Sequence, residues 1–431
     1  MFNNDQTDVL VVGAGPVGML TALLLAESGV RVKIIDQGDQ TVGHSYACAL
    51  HPRTLKLLDE IGLANDVLKL SRYLSTVAFY EGADRRAELR LSGIGLDFPF
   101  VATVPQSALE DFLEQKLKQM DNVTIHWNHR LSALRQEQDA VVASIDKLSK
   151  SAKGYAVPDL DTVVQKTIHT RAAFVVGADG QQSLVRQCLG IDYERVAPPE
   201  NFATFEFEWQ GNGEHEVRIV MDEKTTNILL PLPENRCRWT FQRITTDEPS
   251  EFPSKDRTPF YVVEPTNDGD SRHELLSFIR QRAPWFDDTV GELDWSADIR
   301  FERRLAKRFG HGRCWLAGDA AHQTSPIGVQ SMNVGMREAE ELSESIVEIL
   351  KKEAPLELLE DYNRRRRGEW EKLLSVAPSL GSRDEASSWV KKHSDRILPC
   401  IPGSGDDLAL LVNRLESSCD ADQETLVVSF S

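Results

Sequence analysis

The chain has 431 residues, 41% of them hydrophobic and 27% charged, a globular composition and a length that favours two intertwined domains over one core. Its formal net charge of −18 argues against nucleic acids and anionic membranes as partners, because both attract positive surfaces. No run approaches the roughly 18 apolar residues of a membrane span, and the polar start shows no leader pattern. We therefore expect a cytoplasmic protein.

The six cysteines do not form a recognisable framework. They are scattered, without a CxxC pair or nearby histidine clusters. Reduced thiols are the simplest interpretation, and the sequence gives no reason to assign a metal ligand.

A βαβ unit is predicted at the start of the chain. Residues 9–12 form a continuous apolar run after Asp8, as expected for a strand buried on both faces of a parallel sheet. Residues 19–28 are rich in Leu and Ala and predict a helix, and residues 31–35 predict a second strand that ends at Asp36.

A glycine-rich turn joins the first strand to the first helix. Gly13 would make the tight turn, Gly15 would let a pyrophosphate approach the backbone, and Gly18 would let helix and strand pack closely. Asp36 is placed to bind a ribose hydroxyl pair. The turn predicts a dinucleotide site but does not decide which dinucleotide.

Helices are predicted next over residues 52–60 and 107–120, and an exposed loop over residues 147–158. Residues 201–243 alternate between apolar and polar side chains, which is typical of half-covered antiparallel strands with one aromatic face. Residues 244–273 are interpreted as connections.

The nucleotide-type pattern returns near the end. Residues 314–317 predict a strand ending at Gly318 and Asp319, residues 328–352 a long helix, and the tail after Leu398 is short and weakly patterned.

Two further motifs point to one cofactor. Residues 174–186, with Asp179, Gly180 and Arg186, resemble the "DG" fingerprint of flavoprotein hydroxylases, and residues 316–326 resemble their "GD" fingerprint. With the glycine turn, three motifs stand in the family's order. Over roughly residues 7–375 the chain resembles the class A flavin-dependent monooxygenases, to which p-hydroxybenzoate hydroxylase and many polyketide hydroxylases belong.

The resemblance implies an α/β fold in which an antiparallel sheet interrupts a parallel one. It implies a discontinuous, Rossmann-like FAD-binding domain, which we expect over residues 1–72, 101–195 and 296–395. A β-sheet substrate domain is expected over residues 73–100 and 196–295, and a short C-terminal tail over residues 396–431.

The implied reaction consumes NADPH or NADH and O2 and hydroxylates an aromatic small molecule through a flavin C4a-hydroperoxide. Phenolic and polyketide-like compounds are both candidate substrates. Alternatives on the same fold are other flavin chemistry, such as halogenation or alkene reduction, or FAD binding without catalysis. The Trp-x-Trp-x-Ile-Pro motif of flavin halogenases is absent. Monomer and homodimer both stay open.

Site residues follow from the same motifs. Pro326 and Gly328 would position the reactive face of the flavin, and Asp179 and Arg186 would contact NAD(P)H. No acid or base can be assigned, although His215 lies in the substrate region. The implied FAD contacts are Gly13, Gly15, Pro16, Gly18, Asp36, Gln106, Asp179, Gly318, Asp319, Gly328, Val329, Met332 and Asn333.

Four positions depart from the family pattern. Val329 and Ser331 replace glycines of the Pro-x-Gly-Gly-Gln-Gly-Met-Asn motif, and Glu338 replaces a common aspartate. Tyr46 stands where many relatives carry Arg or Lys near the flavin and the nicotinamide. We therefore expect altered flavin packing and altered coenzyme handling.

Overall fold

The computed structural model of this protein describes residues 5–41, 49–153, 159–209, 215–244, 268–286, 290–374 and 388–417. Tyr46 and the prediction attached to it lie outside these ranges. The strands are β1 Asp5–Val12, β2 Val32–Ile35, β3 Ala49–Leu50, β4 Arg72–Leu74, β5 Thr76–Glu81, β6 Asp84–Arg90, β7 Val101–Thr103, β8 Val123–His126, β9 His129–Gln136, β10 Val141–Lys153, β11 Asp159–Gly177, β12 Tyr193–Arg195, β13 Glu200–Trp209, β14 Glu216–Met221, β15 Thr226–Leu232, β16 Arg236–Arg243, β17 Val290–Phe301, β18 Arg304–Ala306, β19 Gly310–His311, β20 Cys314–Leu316, β21 His322–Gln323 and β22 Leu415–Ser417.

The α-helices are α1 Pro16–Glu27, α2 Pro52–Glu60, α3 Ala64–Lys69, α4 Gln106–Lys118, α5 Leu184–Cys188, α6 Asp268–Arg282, α7 Gln330–Lys352, α8 Glu357–Leu373, α9 Ser388–Lys392, α10 Ser394–Ile397 and α11 Gly405–Val412. Short 3-10 turns cover Gly318–Ala320, Ile327–Val329 and Leu398–Cys400.

A mainly parallel sheet forms the first layer, in the order β19-β20-β11-β1-β2-β8, with β10 and β9 added as antiparallel neighbours. Its central strand β1 is apolar throughout its second half, and Val9, Leu10 and Val11 are fully buried. Helices α1 and α7 contribute to the same apolar core. The predicted βαβ unit is confirmed.

The second sheet has the order β17-β13-β16-β15-β14-β5-β6-β22 and is antiparallel except where β14 pairs with β5. Its aromatic face, with Phe205, Trp239 and Phe241, packs in one cluster with Leu275 and Ile279 of α6. The opposite face packs in a second cluster that includes Ile327. The predicted fold, a parallel sheet interrupted by an antiparallel one, is confirmed, and the aromatic face serves as core beneath a helix.

Two local predictions are wrong. Residues 147–153 are not a loop, because β10 and β11 continue as a paired two-stranded arm to Lys153 and Asp159. Residues 268–273 belong to α6 rather than to a connection. The tail after Leu398 contains α11 and β22, and β22 pairs with β6 at the edge of the second sheet.

Candidate functional site

Three parallel strands bring the three motifs together. In the register of β1, β11 and β20, Val12 is opposite Gly177, and Gly177 is opposite Leu316. The chain leaves these neighbouring strands at one edge of the sheet and continues into the glycine turn, the DG motif and the GD motif. This edge is where open α/β sheets bind ligands.

The glycine turn has the shape that close approach requires. A Cβ on Gly13, which has φ +104°, would lie 2.2 Å from the Ala178 carbonyl oxygen, and one on Gly18 would lie 2.0 Å from the Gly13 carbonyl oxygen. A Cβ on Gly15 would meet nothing within 4 Å. The first and third glycines are therefore required by packing, whereas the second faces open space.

Asp36 ties the turn to the end of β2. One carboxylate oxygen accepts from the Ala14 N–H at 2.7 Å, and the other accepts from the Gly38 N–H at 2.7 Å. Both bonds fix the direction of the carboxylate beside the glycine turn. Each oxygen keeps a further lone pair, so the geometry leaves room for a ribose hydroxyl.

Asp179 caps a short helix. Its Oδ2 accepts from the N–H groups of Leu184 at 2.7 Å and Val185 at 3.1 Å, at the start of α5. Its Oδ1 is buried without a hydrogen-bond partner among the described residues. Burial raises the pKa of this carboxyl group.

Arg186 holds the backbone together. Its guanidinium lies over the Tyr193 ring at 3.9 Å and donates to the carbonyls of Ala320 at 2.7 Å and Gln181 at 2.6 Å. The residue is 5% exposed. Both terminal nitrogens thus donate inside the protein and link the DG motif to the GD motif, while the contact of Arg186 with NAD(P)H stays a prediction.

A buried His–Glu pair supports the GD turn. The Glu338 carboxylate accepts from the Gly318 N–H at 2.8 Å and from Trp370 Nε1 at 2.7 Å, and it lies 2.8 Å from His322 Nε2. His322 and Glu338 are fully buried, and the His322 ring stacks on Trp370 with centroids 3.8 Å apart. The Glu338 departure therefore places a carboxylate where it fixes the backbone that presents Asp319.

The 326–330 loop contains two consecutive left-handed residues, Gly328 with φ +79° and Val329 with φ +50°. His51 is 2.8 Å through Nε2 from the Gly328 carbonyl oxygen. Burial lowers the pKa of His51 to about 4, so the imidazole is neutral at pH 7 and donates its Nε2–H to that carbonyl. His51 was not predicted as a site residue. Its position directly before the predicted helix at residues 52–60 was the one sequence signal that could have indicated it.

The Asn333 side chain is used entirely by the protein. Its Oδ1 accepts from the His51 N–H at 2.8 Å and the Thr54 hydroxyl at 2.7 Å. Its Nδ2 donates to the carbonyls of Ala49 at 2.9 Å and Val329 at 2.8 Å. This side chain therefore holds the 326–330 loop, and the contact of Asn333 with FAD stays a prediction.

Residues 388–417, which we call the C-terminal segment, pack behind this loop. A Cβ on Gly328 would lie 1.9 Å from the Pro399 carbonyl oxygen. Gln330 Nε2 donates to the carbonyls of Ile401 at 2.6 Å and Gly403 at 3.2 Å. The segment therefore supports the loop that lines the site.

The same segment reaches the second sheet. Arg396 donates to the Asp222 carbonyl at 2.7 Å, to the Thr225 carbonyl and to the Thr226 hydroxyl at 3.0 Å. It thus links the 326–330 loop to the turn between β14 and β15.

One cleft of about 290 Å³ opens between these elements. Its lining joins the glycine turn at one end to Pro326 at the other, and includes Gly15, Pro16, Val17, Gln106, Ala178, Gly180, Phe301, Ala317, Gly318, Asp319, Gln323, Thr324, Ser325, Pro326, Val329, Ser331 and Met332. Phe301, Thr324 and Ser325 were not predicted; the latter two lie just before Pro326, and only proximity to the GD motif signals them.

Two histidines and one arginine lie outside this arrangement. His215 is exposed, with Nδ1 3.1 Å from the Tyr73 carbonyl oxygen. Arg53 lies on the surface of α2, 4.0 Å from Glu340. His126 lies beside His129, with ring centroids 5.2 Å apart, at the far edge of the first sheet. No acid or base for the reaction can be assigned to them.

The residues present fit a flavin dinucleotide. Gly15 leaves space for a pyrophosphate at the N-terminus of α1, Asp36 offers free lone pairs beside the glycine turn, and Asp319 lines the same cleft as Gly15. Among the described residues no cluster of His, Cys, Asp or Glu could hold a metal ion, and no helix is long and apolar enough to cross a membrane.

Comparison with known proteins decides the family. Residues 6–377 match the family model described as an FAD binding domain. The chain belongs to this FAD binding domain family. With the monooxygenases reported next, the match confirms the predicted class A resemblance and identifies an FAD-dependent monooxygenase.

Two relatives of the chain are monooxygenases. The chain is 26% identical over 365 residues to para-nitrophenol 4-monooxygenase of Pseudomonas sp. (strain WBC-3), covering 83% of this chain and 82% of the relative. It is 28% identical over 367 residues to pentachlorophenol 4-monooxygenase of Sphingobium chlorophenolicum, covering 83% of this chain but only 61% of that longer protein. The fold resembles the crystal structure of p-nitrophenol 4-monooxygenase from Pseudomonas putida DLL-E4, with a TM-score of 0.72, 23% identity and coverage of 94% and 96%.

Proposed function

We propose that this FAD-dependent monooxygenase hydroxylates a phenolic compound, using electrons from NADPH or NADH and one oxygen atom from O2. The observation that carries the proposal is a cleft lined both by the dinucleotide-binding turn and by apolar residues that include Pro326 and Phe301. Relatives named for p-nitrophenol and pentachlorophenol support a phenol as the substrate class.

The glycine turn and α1 would hold the pyrophosphate, because N–H groups and the positive end of the helix dipole face that part of the cleft. Asp36 would bind the adenosine ribose, and Asp319 the ribityl chain. When bound, FAD supplies the transfer of electrons from the reduced nicotinamide to oxygen.

Helix α7 would stabilise negative charge on the bound cofactor. It is 23 residues long, and its first residues, including Ser331 and Met332, line the cleft. The N-terminus of such a helix carries roughly half a positive charge, which stabilises negative charge at the cofactor. The neutral His51 and the Asn333 amide maintain the left-handed turn that aims these N–H groups.

The substrate end of the cleft would exclude water. Phe301 lines it, and its ring meets Phe202 edge-on with centroids 5.8 Å apart. Pro326 and Val329 add apolar surface, while Thr324 and Ser325 offer hydroxyls to a phenol. An apolar site with few polar groups suits an aromatic ring carrying one hydroxyl.

The test combines a substrate screen with isotope labelling. A panel of phenols is screened for acceleration of NADPH and NADH oxidation, and the best substrate is turned over under ¹⁸O2. We expect one labelled atom in the aromatic product and the other in water. Product oxygen derived from solvent, or a chlorinated product in the presence of chloride, would contradict hydroxylation and favour other flavin chemistry.

A further inference from the structure

Ser331 and Asp319 meet across the cleft wall. Ser331 is the second residue of α7, and Asp319 lies in the 3-10 turn after β20. The Ser331 hydroxyl donates a hydrogen bond to Asp319 Oδ1. Both residues line the cleft, so the bond joins the GD motif to the helix that begins beside it.

The Asp319 backbone is fixed by other contacts. The Gly318 N–H donates to Glu338 at 2.8 Å, and the Tyr193 hydroxyl donates to the Asp319 carbonyl at 3.2 Å. Neither contact reaches the carboxylate. Within the described parts of the chain, Ser331 is the one hydrogen-bond donor to it.

The charged surroundings do not replace this bond. Burial raises the pKa of Asp319, the Ser331 hydrogen bond lowers it, His322 lowers it and Glu338 raises it. His322 is already paired with Glu338 at 2.8 Å, and the nearby Arg186 guanidinium donates to backbone carbonyls. The orientation of the Asp319 carboxylate therefore depends on a neutral hydroxyl.

We propose that Ser331 is a positioning residue that holds the Asp319 carboxylate ready to accept hydroxyl groups of a polyol chain. The proposal rests on the proposed function, in which that chain is the ribityl part of FAD. A carboxylate has about four lone-pair sites, so the Ser331 bond leaves Oδ2 and a second position on Oδ1. The serine oxygen also keeps its own lone pairs, and the two side chains together can accept from neighbouring hydroxyls.

A glycine at position 331 could provide neither the hydrogen bond to Asp319 nor the lone pairs of the serine oxygen. The serine is therefore interpreted as a gain in preorganisation, since the carboxylate is oriented before the ligand arrives. A merely structural serine would stabilise the fold without affecting ligand affinity or its pH dependence.

The experiment measures FAD binding to apoprotein by quenching of flavin fluorescence between pH 5 and 8.5. We expect Ser331→Ala and Ser331→Gly to raise the Kd of FAD about three- to tenfold at pH 7.5, the fold-change of one ordinary hydrogen bond, because Ser331 acts on the ligand through Asp319. The acid limb of the affinity profile should shift to higher pH, because Asp319 loses the bond that favours its ionised form. Ser331→Thr keeps a hydroxyl and should restore wild-type affinity.

A matched control lies in the same helix. The Ser345 hydroxyl donates to the Glu341 carbonyl within α7 at 2.8 Å, so Ser345→Ala should leave the Kd and the acid limb unchanged. In an Asp319→Asn background, Ser331→Ala should add less than a twofold effect, because its partner is already altered.

Two outcomes would overturn the proposal differently. If Asp319→Asn weakens FAD binding but Ser331→Ala changes neither the Kd nor the acid limb, Ser331 does not position Asp319, and the proposed cofactor site stands. If Asp319→Asn binds FAD like the wild type, the assignment of Asp319 to the cofactor fails, and the role of Ser331 fails with it.

Discussion

Gly15 offers a direct test of the cofactor site, because the apoprotein has space for a side chain at this position whereas the protein with bound cofactor would not. Gly15 precedes α1 with φ −78° and ψ −179°, an extended conformation that alanine adopts without strain. An added Cβ would meet nothing within 4 Å. Gly15→Ala should therefore leave the apoprotein as stable as the wild type, or more stable by about 0.4–1 kcal/mol through the unfolded state.

The same methyl group should impair cofactor binding. It would project into the space where a pyrophosphate approaches the backbone. Loss of one charge-assisted hydrogen bond there is worth roughly 1.5–3 kcal/mol, or about ten- to a hundredfold in Kd. Thermal unfolding of the apoprotein and FAD titration measure the two effects separately.

Gly368 in α8 is the matched control, because its Cβ would also meet nothing within 4 Å. Gly368→Ala should raise stability by up to about 1 kcal/mol, since alanine is the better helix former, and should leave the Kd of FAD unchanged. A Gly15→Ala protein with wild-type FAD affinity would refute the reasoning, as would apoprotein destabilised by more than about 1 kcal/mol.

Three further predictions concern the 326–330 loop and its support. Gly328→Ala should lower the free energy of unfolding by about 3 kcal/mol in a denaturant titration. The alanine would have a left-handed φ, and its Cβ would lie 1.9 Å from the Pro399 carbonyl oxygen. A loss below about 1 kcal/mol would contradict the close contact between Gly328 and Pro399. Val329→Gly should reduce the amount of hydrogen peroxide formed per NADPH oxidised, because it removes a stiff β-branched side chain from the loop. An unchanged ratio of peroxide to NADPH would exclude Val329 as a cause of peroxide formation. Folding lowers the pKa of His51 from 6.5 to about 4, so between these pH values the unfolded chain binds a proton at His51 more readily than the folded protein does. About 3 kcal/mol of the free energy of unfolding should therefore be lost as the pH falls from 6.5 to 4. His51→Gln should remove this pH dependence of stability.

Much of the fold could be predicted because it depends on local patterns. The apolar run of β1, the glycine turn and Asp36 form one continuous stretch, and their arrangement follows from strand and turn chemistry. The alternation in β13 and β16 likewise predicted antiparallel strands. The arm of β10 and β11 was missed because its polar residues resemble a loop, and only their pairing with each other makes them strands.

The site was harder to predict because its support comes from distant parts of the chain. Asn333 matches a motif, but its amide is used by residues from 49 to 54, which no spacing could reveal. Arg186 matches a motif too, yet its guanidinium is held by backbone carbonyls. The contact of Pro399 with Gly328 has no sequence signal, since it depends on how a weakly patterned segment returns across the molecule.

The C-terminal segment also determines when the support of the 326–330 loop can be completed during synthesis. Gly328 and Pro399 are 71 residues apart (399 minus 328), yet they are in direct contact. At about 5–20 residues per second the ribosome needs roughly 4–14 s to make that interval. The glycine turn, the DG motif and the GD motif can assemble while the segment behind the 326–330 loop is still missing. A nascent chain therefore contains every residue that lines the cleft before it contains the segment that supports the 326–330 loop, and that support is complete only after residue 403 has emerged.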